Sequence, residues 1–372
     1  MQKGKFLSLA LALLMIAGTS CTETDQDYQN PDPKALTSIP TLDNPQPKGD
    51  RILELDANAP ENEDFDQVIG LARELGVESI RLSVYWDDIE TEPGVYNPDP
   101  NWLAIANQYY AAQDLSISLT ISVLDTTEIR LPEDLEGRSF SDPEVHNRFN
   151  DLLDYVKTQL ADVDLSYLAI GNEIDGVLGS DSAEWEEYRE FFEFTADHAR
   201  ELWPGLPIST KVTFGGLTGS MTGTAQEIYQ ESDLVMTTYY PLNGDFTVKE
   251  PEVILEDFRT LAELFPGKEI LMTEIGYPSS VENGSSPEKQ AAFIHYMFQA
   301  WDEHRDQIKT LSYSWLSDLP ESSVRELESY YGLKDKAFGE FLRTLGLRTF
   351  PGAGENKPGF DIFLAEAEVR GW

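Results

Sequence analysis

The chain of 372 residues contains a single cysteine, Cys21, and only four histidines. One cysteine excludes an intramolecular disulfide and a cysteine-based zinc site. None of the histidines has metal-binding spacing and all lie in predicted helices, so we expect structural or surface roles for them. The four are His146, His198, His295 and His304. We therefore predict neither a metal nor a cofactor.

Basic residues are scarce: 27 lysines and arginines stand against 67 acidic residues, for a formal net charge of -40. We expect no nucleic acid partner, because phosphate recognition needs a basic face. The same charge disfavours polyanionic substrates, although a local basic pocket can override the global field. A neutral substrate is the easier interpretation of this composition.

No apolar run in the N-terminal region is long enough to span a membrane. Residues 6–17 are apolar, follow Lys3 and Lys5, and precede the small residues 18–20. This order is typical of a secretory signal peptide, which we assign to residues 1–20. Cys21 follows directly, as in a bacterial lipoprotein; the alternative is ordinary cleavage with an incidental cysteine.

Residues 22–49 are rich in Asp, Asn, Thr and Pro and have little with which to build a core. We interpret this segment, together with Cys21, as a lipidated flexible tether. The expected location is therefore outside the cytoplasm, on the bacterial outer membrane at its periplasmic face or at the cell surface. Membrane contact is expected only through the lipid anchor.

From residue 50 onward, strand patterns and helix patterns alternate regularly. Strict alternation indicates a parallel sheet, and eight units in about 300 residues suit a (β/α)8 barrel. The competing open, doubly wound sheet usually carries a glycine-rich phosphate loop after its first strand, whereas residues 56–60 read Asp-Ala-Asn-Ala-Pro. We predict an α/β protein, a single-domain (β/α)8 TIM barrel over residues 50–372. The predicted strands are 51–55, 77–85, 115–123, 167–170, 208–214, 234–240, 268–274 and 308–315.

Two of these strands end in a glutamate in the same manner. Residues 168–174 are an apolar run closed by Asn172 and Glu173, and residues 270–277 are an apolar run closed by Glu274. A parallel strand buried on both faces is normally apolar, and a carboxylate at its end is costly unless it is paired or used. One such glutamate is equally compatible with a solvated loop. Two glutamates that each close an apolar strand predict a pair of carboxylates converging on one site.

In a (β/α)8 barrel the functional side chains lie at the C-terminal ends of the strands. Here these ends supply carboxylates, aromatic rings, one arginine and one asparagine. Aromatic faces stack on sugar rings and paired carboxylates cleave glycosidic bonds, so we predict a glycoside hydrolase. Alternatively, Arg81 forms a structural ion pair and Trp86 is a core residue. Besides the glutamates, the candidate substrate-binding residues are Arg81, Trp86, Asp125, Asn172, Tyr239, Tyr240, Tyr277 and Trp315.

Gly171-Asn172-Glu173 after the fourth strand and Thr273-Glu274 after the seventh resemble the two catalytic motifs of glycoside hydrolase clan A. That clan comprises retaining β-glycosidases on a (β/α)8 barrel, and the resemblance covers residues 51–345. It implies that Glu173 is the general acid/base and that Glu274 is the nucleophile. It further implies that Asn172 hydrogen-bonds the sugar 2-hydroxyl.

The same resemblance implies roles for residues on three other strands. Arg81 on the second strand matches the arginine beside the nucleophile. Tyr240 on the sixth strand is similar to the tyrosine that hydrogen-bonds the nucleophile, with Tyr239 as the alternative inward residue. Trp315 on the eighth strand matches the tryptophan that forms the floor of the cleavage subsite.

The substrate is less sharply indicated. Segments 171–178 and 238–241 are similar to the endo-β-1,4-galactanase family, but Ser83 stands where that family has a second arginine. Segment 86–94 is more similar to other clan members, including β-glucanases, mannanases and β-xylosidases. We predict a monomeric endo-β-glycanase acting on a neutral polysaccharide or its oligosaccharides, with galactan, β-glucan and mannan all open. The alternatives are a non-catalytic surface glycan-binding lipoprotein and an exo-acting β-glycosidase.

Overall fold

The computed structural model describes residues 44–372. The predicted signal peptide, Cys21 and most of the predicted tether lie outside the described residues. Eight parallel segments form a ring in which the last strand pairs with the first. The ring closes through the fifth segment, whose first half pairs with the fourth strand and whose second half pairs with the sixth. The strands are β1 Ile52–Leu55, β2 Ser79–Tyr85, β3 Ser116–Asp125, β4 Leu165–Asn172, β5 Ile208–Ser209 continued by Lys211–Thr213, β6 Val235–Tyr239, β7 Ile270–Ile275 and β8 Ile308–Tyr313.

The helices surround this ring or extend the loops at its C-terminal end. Each strand is followed by at least one helix, so the predicted (β/α)8 barrel is confirmed. The helices are α1 Phe65–Glu74, α2 Trp86–Ile89, α3 Trp102–Ala112, α4 Pro143–Gln159, α5 Asp175–Leu178, α6 Ser182–Leu202, α7 Phe214–Thr218, α8 Thr222–Glu231, α9 Val253–Leu264, α10 Pro287–Glu303, α11 Glu321–Tyr330, α12 Lys336–Arg343 and α13 Pro358–Arg370. Short strands Glu90–Glu92 and Val95–Tyr96 form a hairpin, and Glu128–Ile129 pairs with the end of β3.

Local sequence explains where the outer helices begin. Asp64 and Gln67 form a capping box at the start of α1, in which each side chain satisfies a backbone N–H that the helix leaves free. Asp142 precedes Pro143 in the same way at the start of α4, where its side chain accepts from the Glu144 N–H. Proline is favoured at this first helical position because its missing N–H would be unpaired there anyway.

The C-terminal segment packs against the barrel, as the apolar run 360–364 predicts. Buried residues of α13 face α10, and the Trp372 ring stacks on Trp301 with centroids 4.9 Å apart. Beside these rings, Asp302 accepts hydrogen bonds from Arg51 at 2.9 Å and from Arg370 at 2.7 Å. This buried network joins the start of β1 to the last helix and covers that part of the barrel.

The barrel interior is more polar than the branched aliphatic layers usual for this fold. Glu54 on β1 is fully buried and accepts hydrogen bonds from Ser79 at 3.0 Å and from Tyr167 at 2.9 Å. Arg81 on β2 and Lys211 on β5 are buried as well. The interior therefore contains a cationic pair directly beneath the ring of strand ends. Within the described part of the chain, no helix is both long and apolar enough to cross a membrane.

Candidate active site

The end of β4 is shaped by a glycine that no other residue can replace without strain. Gly171 has φ +82°, and a Cβ there would lie 2.3 Å from the Tyr188 hydroxyl oxygen. That hydroxyl donates a 2.7 Å hydrogen bond to the Ile170 carbonyl and so holds the strand end in place. Two residues later Glu173 has φ +48°, a region that non-glycine residues rarely adopt except at functional sites.

Glu173 is fully buried, and no cation of residues 44–372 forms an ion pair with it. Its Oε2 accepts a 2.9 Å hydrogen bond from Thr126, while its Oε1 has no hydrogen-bond partner among the described residues. Burial, and then the charge of Glu274, raise the pKa of Glu173 well above its usual value, although the hydrogen bond from Thr126 opposes the shift. Glu173 therefore favours the protonated form and has a proton to donate.

Glu274 is equally buried but lies against cations. Its Oε1 is 3.3 Å from Arg81 Nη1 and 3.6 Å from Lys211 Nζ. Its Oε2 accepts a 3.1 Å hydrogen bond from Tyr240. Burial, and then the neighbouring Glu274, raise the pKa of Tyr240 well above its usual value, so this hydroxyl stays protonated as a donor. Two cations and one hydroxyl donor thus surround this carboxyl group.

Arg81 is held rigidly at the centre of the site. Its Nη2 donates to Asp56 at 2.5 Å, and its Nη1 donates to the Thr273 carbonyl at 3.2 Å and to Ser314 at 3.3 Å. Burial opposes its charge, but Glu274 and Asp56 raise the pKa of Arg81. The guanidinium is thus a fixed cation shared between two carboxylates.

Asn172 and Asp125 line the site beside Glu173. Asn172 donates from Nδ2 to Asp125 Oδ1 at 3.1 Å, and its own Oδ1 has no partner among the described residues. Tyr330, at the end of α11, donates to the other Asp125 oxygen at 2.6 Å. Burial raises the pKa of Asp125. An amide oxygen free to accept a hydrogen bond next to Glu173 suits a sugar hydroxyl.

Trp315 directly follows Ser314 after β8. It is fully buried in an apolar cluster that also contains Phe338 and Phe341 and against which Tyr240 packs. The Ser314 hydroxyl lies 3.2 Å from that of Tyr240. The structure thus brings Trp315 to the Tyr240 side of the two glutamates.

Three other aromatic residues predicted to bind substrate are placed away from the carboxylates, which corrects that interpretation. Trp86 is core: its Nε1 donates to Glu90 at 2.7 Å, and its ring packs edge-on against Phe149 of α4. Helices α2 and α4 therefore enclose this ring, and no face of it is left for a sugar.

Tyr239 and Tyr277 both point outward, between the strands and the helices. The Tyr239 hydroxyl donates to Asp257 of α9 at 2.6 Å, and the Tyr277 hydroxyl donates to the Lys249 carbonyl at 2.6 Å. The Tyr277 ring stacks on Phe293 of α10, with centroids 4.8 Å apart. Of the two adjacent tyrosines on the sixth strand, Tyr240 is the inward one.

The site also contains residues that sequence reasoning missed. Asp56, Thr126 and Tyr330 lie in loops or after the barrel, and no local pattern marks them. Lys211 did carry a signal: a lysine within the predicted strand 208–214 is anomalous, because a strand buried on both faces should be apolar. Residues 44–372 contain no group of three or more His, Cys, Asp or Glu arranged to hold a metal ion.

Comparison with known proteins identifies relatives by fold. No family model and no curated protein sequence matches the chain. A GH5_18 protein from Bifidobacterium longum subsp. longum has 15% identity and a TM-score of 0.66, with 86% of this chain and 79% of that chain covered. The GH53 catalytic domain of Ignisphaera aggregans has 19% identity and a TM-score of 0.61, with 87% of this chain and 99% of that chain covered.

A third solved structure, a family 39 glycoside hydrolase from Bacteroides cellulosilyticus, has 15% identity and a TM-score of 0.60, with 87% of this chain and 65% of that chain covered. At such identities the likeness establishes the fold. This chain has the barrel fold of clan A glycoside hydrolases, which confirms that resemblance at the level of the fold. The finer resemblance to the endo-β-1,4-galactanase family stays a prediction.

Proposed function

We propose that the protein is a retaining glycoside hydrolase that cleaves β-glycosidic bonds in a neutral polysaccharide. The observation that carries this proposal is the contrast between two buried carboxyl groups. Among the described residues Glu173 has no cation in contact and favours its proton, whereas Glu274 lies 3.3 Å from Arg81 and 3.6 Å from Lys211. Double displacement needs one protonated acid and one nucleophilic carboxylate, and the different surroundings of the two glutamates suit these two roles.

The proposed reaction has two steps. In the first, Glu274 attacks the anomeric carbon and forms a glycosyl ester, while the Glu173 proton passes to the departing glycosidic oxygen. In the second, Glu173, now ionised, accepts a proton from water as that water attacks the anomeric carbon and releases Glu274. Asn172 accepts or donates a hydrogen bond at the sugar 2-hydroxyl. Each residue thus returns to its starting protonation state.

We propose endo action on a β-glycan, with galactan, β-glucan and mannan as candidate substrates. Ser83 lies two residues beyond Arg81 on the same face of β2, since side chains alternate along a strand. Ser83, Tyr85, Asp88 and Trp102 line a depression at this rim of the barrel. A depression that combines aromatic walls with the polar groups of Ser83 and Asp88 supports a further sugar subsite, as an endo enzyme requires.

Exo action is the second candidate, because one side of the site is covered. Tyr330 binds Asp125 and packs parallel to Tyr85, with ring centroids 6.4 Å apart. The Arg130 guanidinium lies 3.8 Å from the centre of the Tyr85 ring. We call these three residues, Tyr330, Tyr85 and Arg130, the Tyr330 cap. Both glutamates are fully buried beneath the strand ends, which suits a short, closed pocket.

The deciding experiment is hydrolysis of a panel of neutral β-glycans by the wild type, Glu173→Gln and Glu274→Gln. Activity on one glycan, lost in both variants, and retention of anomeric configuration in the first product support the proposal. Product lengths over time separate endo from exo action. A wild type that binds a glycan but cleaves none favours a glycan-binding protein, and full activity in Glu274→Gln rejects the nucleophile.

For location, we propose a monomer anchored to the outer membrane through a lipid on Cys21. The support is the order of signal-like residues, lone cysteine and polar tether in the sequence. Cys21→Ser is expected to move the protein from the membrane fraction to the soluble fraction of the expressing cells. Unchanged fractionation would reject the lipid anchor.

A further inference from the structure

Lys211 is a fully buried lysine that forms no hydrogen bond within residues 44–372. It belongs to β5 and points into the barrel, where its Nζ lies 3.6 Å from Glu274 Oε1. A buried ammonium without a hydrogen bond is among the most costly groups that a protein can contain. Something other than stability must therefore explain its presence directly beside Glu274.

A second buried lysine shows how a structural lysine is accommodated in this same chain. Lys357 donates to Asp318 at 2.6 Å, to Ser279 at 3.0 Å and to the Thr344 carbonyl at 3.1 Å. All three of its protons are thus used by fixed acceptors. Lys211 uses none of its protons in this way.

The other carboxylate of the barrel interior, Glu54, does not accept a hydrogen bond from Lys211. Glu54 accepts hydrogen bonds from Ser79 and Tyr167, and no ion pair to Lys211 is formed. Burial, and then the neighbouring Arg81, lower the pKa of Lys211, while Glu274, Glu54 and Glu173 act in the opposite direction. Of these carboxyl groups, Glu274 is the one within ion-pair distance.

We propose that Lys211 is a positioning residue that holds Glu274 Oε1 by its charge and aims this carboxylate for attack, an inference that rests on the proposed function. Arg81 alone supplies only part of the charge, because its guanidinium is shared with Asp56 at 2.5 Å. Lys211 is not shared. It acts on Oε1, which leaves Oε2 to the Tyr240 hydroxyl.

Two acidic side chains also lie near Glu274. Glu173 on β4 interacts unfavourably with the charge of Glu274, and so does Asp125 on β3. Glu274 therefore lies between these two acids and the cations Arg81 and Lys211. The arrangement also affects the second chemical step, because the carboxylate that leaves the glycosyl ester regains its charge next to Lys211. Removing Lys211 should slow that departure.

The test is Lys211→Met, which keeps an unbranched side chain, one atom shorter, and removes the charge. We expect the acidic limb of the kcat/KM profile to move to higher pH by about one unit, a tenfold change in the ionisation equilibrium. We also expect the enzyme trapped with a fluorosugar inactivator to reactivate in water about tenfold more slowly. Lys211→Gln is the second uncharged variant, in case the methionine prevents folding.

Lys357→Met is the matched control, since it also removes a buried lysine charge but outside the site. This variant should lower thermal stability without changing the acidic limb of the kcat/KM profile or the reactivation rate. Suppose that the inactivator labels the wild type, while Lys211→Met and Lys211→Gln keep the wild-type acidic limb and reactivation rate. The inference about Lys211 is then wrong, and the proposed function stands. If the wild type hydrolyses no glycan and takes up no inactivator, the proposed function fails and the inference fails with it.

Discussion

The hydroxyl of Tyr330 donates a 2.6 Å hydrogen bond to Asp125, a residue 205 positions earlier in the chain. Tyr330 ends a helix that follows the last barrel strand, whereas Asp125 ends the third strand. The contact therefore joins the loops on opposite parts of the barrel mouth. Asp125 in turn accepts a hydrogen bond from Asn172, so Tyr330 is linked through Asp125 to the residue before Glu173.

Loss of this contact should widen access to the carboxylates. Tyr330→Phe leaves one buried oxygen of Asp125 without its donor, at a cost of roughly 1.5–3 kcal/mol to the closed arrangement. We expect activity on a polymeric glycan, relative to activity on an aryl glycoside, to rise by about tenfold. Tyr109→Phe is the control, since that hydroxyl binds Asp66 on the outer surface. An unchanged ratio in Tyr330→Phe would mean that the Tyr330 cap does not restrict access.

The raised pKa of Glu173 predicts how activity depends on alkaline pH. The protonated form is the acid, so activity should persist above the usual titration range of a glutamate and fall as pH rises through its elevated pKa. Glu173→Gln cannot titrate. With an aryl glycoside whose leaving group needs no protonation, this variant should keep residual activity and lose the alkaline limb. If Glu173→Gln keeps the alkaline limb, that limb belongs to another titrating group.

Burial of Glu173 should also lower the stability of the folded protein, over a pH range that follows from the same raised pKa. Its folded-state pKa lies above the ordinary value of 4.5. As pH rises above that value the unfolded chain releases the proton while the folded chain keeps it, so stability falls until the folded-state pKa is passed. Each unit of upward shift corresponds to about 1.4 kcal/mol.

Glu173→Gln should therefore be more stable than the wild type at neutral pH, by about 0.5–2 kcal/mol, the range usual for one stabilising substitution. The difference should shrink toward zero at about pH 4, where both states carry the proton. Thermal unfolding followed by circular dichroism at several pH values measures this. Glu201→Gln, at an exposed position of α6, is the control and should show little dependence on pH. A difference that grows as pH falls would reverse the assigned sign.

Much of this architecture is readable from local sequence patterns. The alternation of eight strands with helices depends on apolar periodicity within each segment, and each predicted strand is present. The glutamates at the ends of β4 and β7 were identifiable because a charge closes an otherwise apolar run. Both properties belong to a few consecutive residues, so neither requires knowledge of the distant chain.

Properties that depend on register or on distant contacts were not readable in this way. Tyr239 and Tyr240 differ by one position and so face opposite sides of the strand. The pairing of β6 with β7 shifts register between Thr237 and Thr238, so counting along the strand does not identify the inward tyrosine. Tyr330 reaches the site through the packing of α11 across the barrel mouth, which no local periodicity predicts.

The turn at the end of β4 gives the sharpest test of the local geometry, because the chain offers a matched pair of glycines. Gly171→Ala places a Cβ 2.3 Å from the Tyr188 hydroxyl oxygen, at φ +82°, and should destabilise the protein by about 1–3 kcal/mol. Gly70 lies exposed within α1 with nothing within 4 Å of an added Cβ, so Gly70→Ala should stabilise it by about 0.4–1 kcal/mol. Denaturant unfolding measures both. Equal effects of the two substitutions would show that the Gly171 conformation is not required, and Glu173 would then owe its position to other contacts.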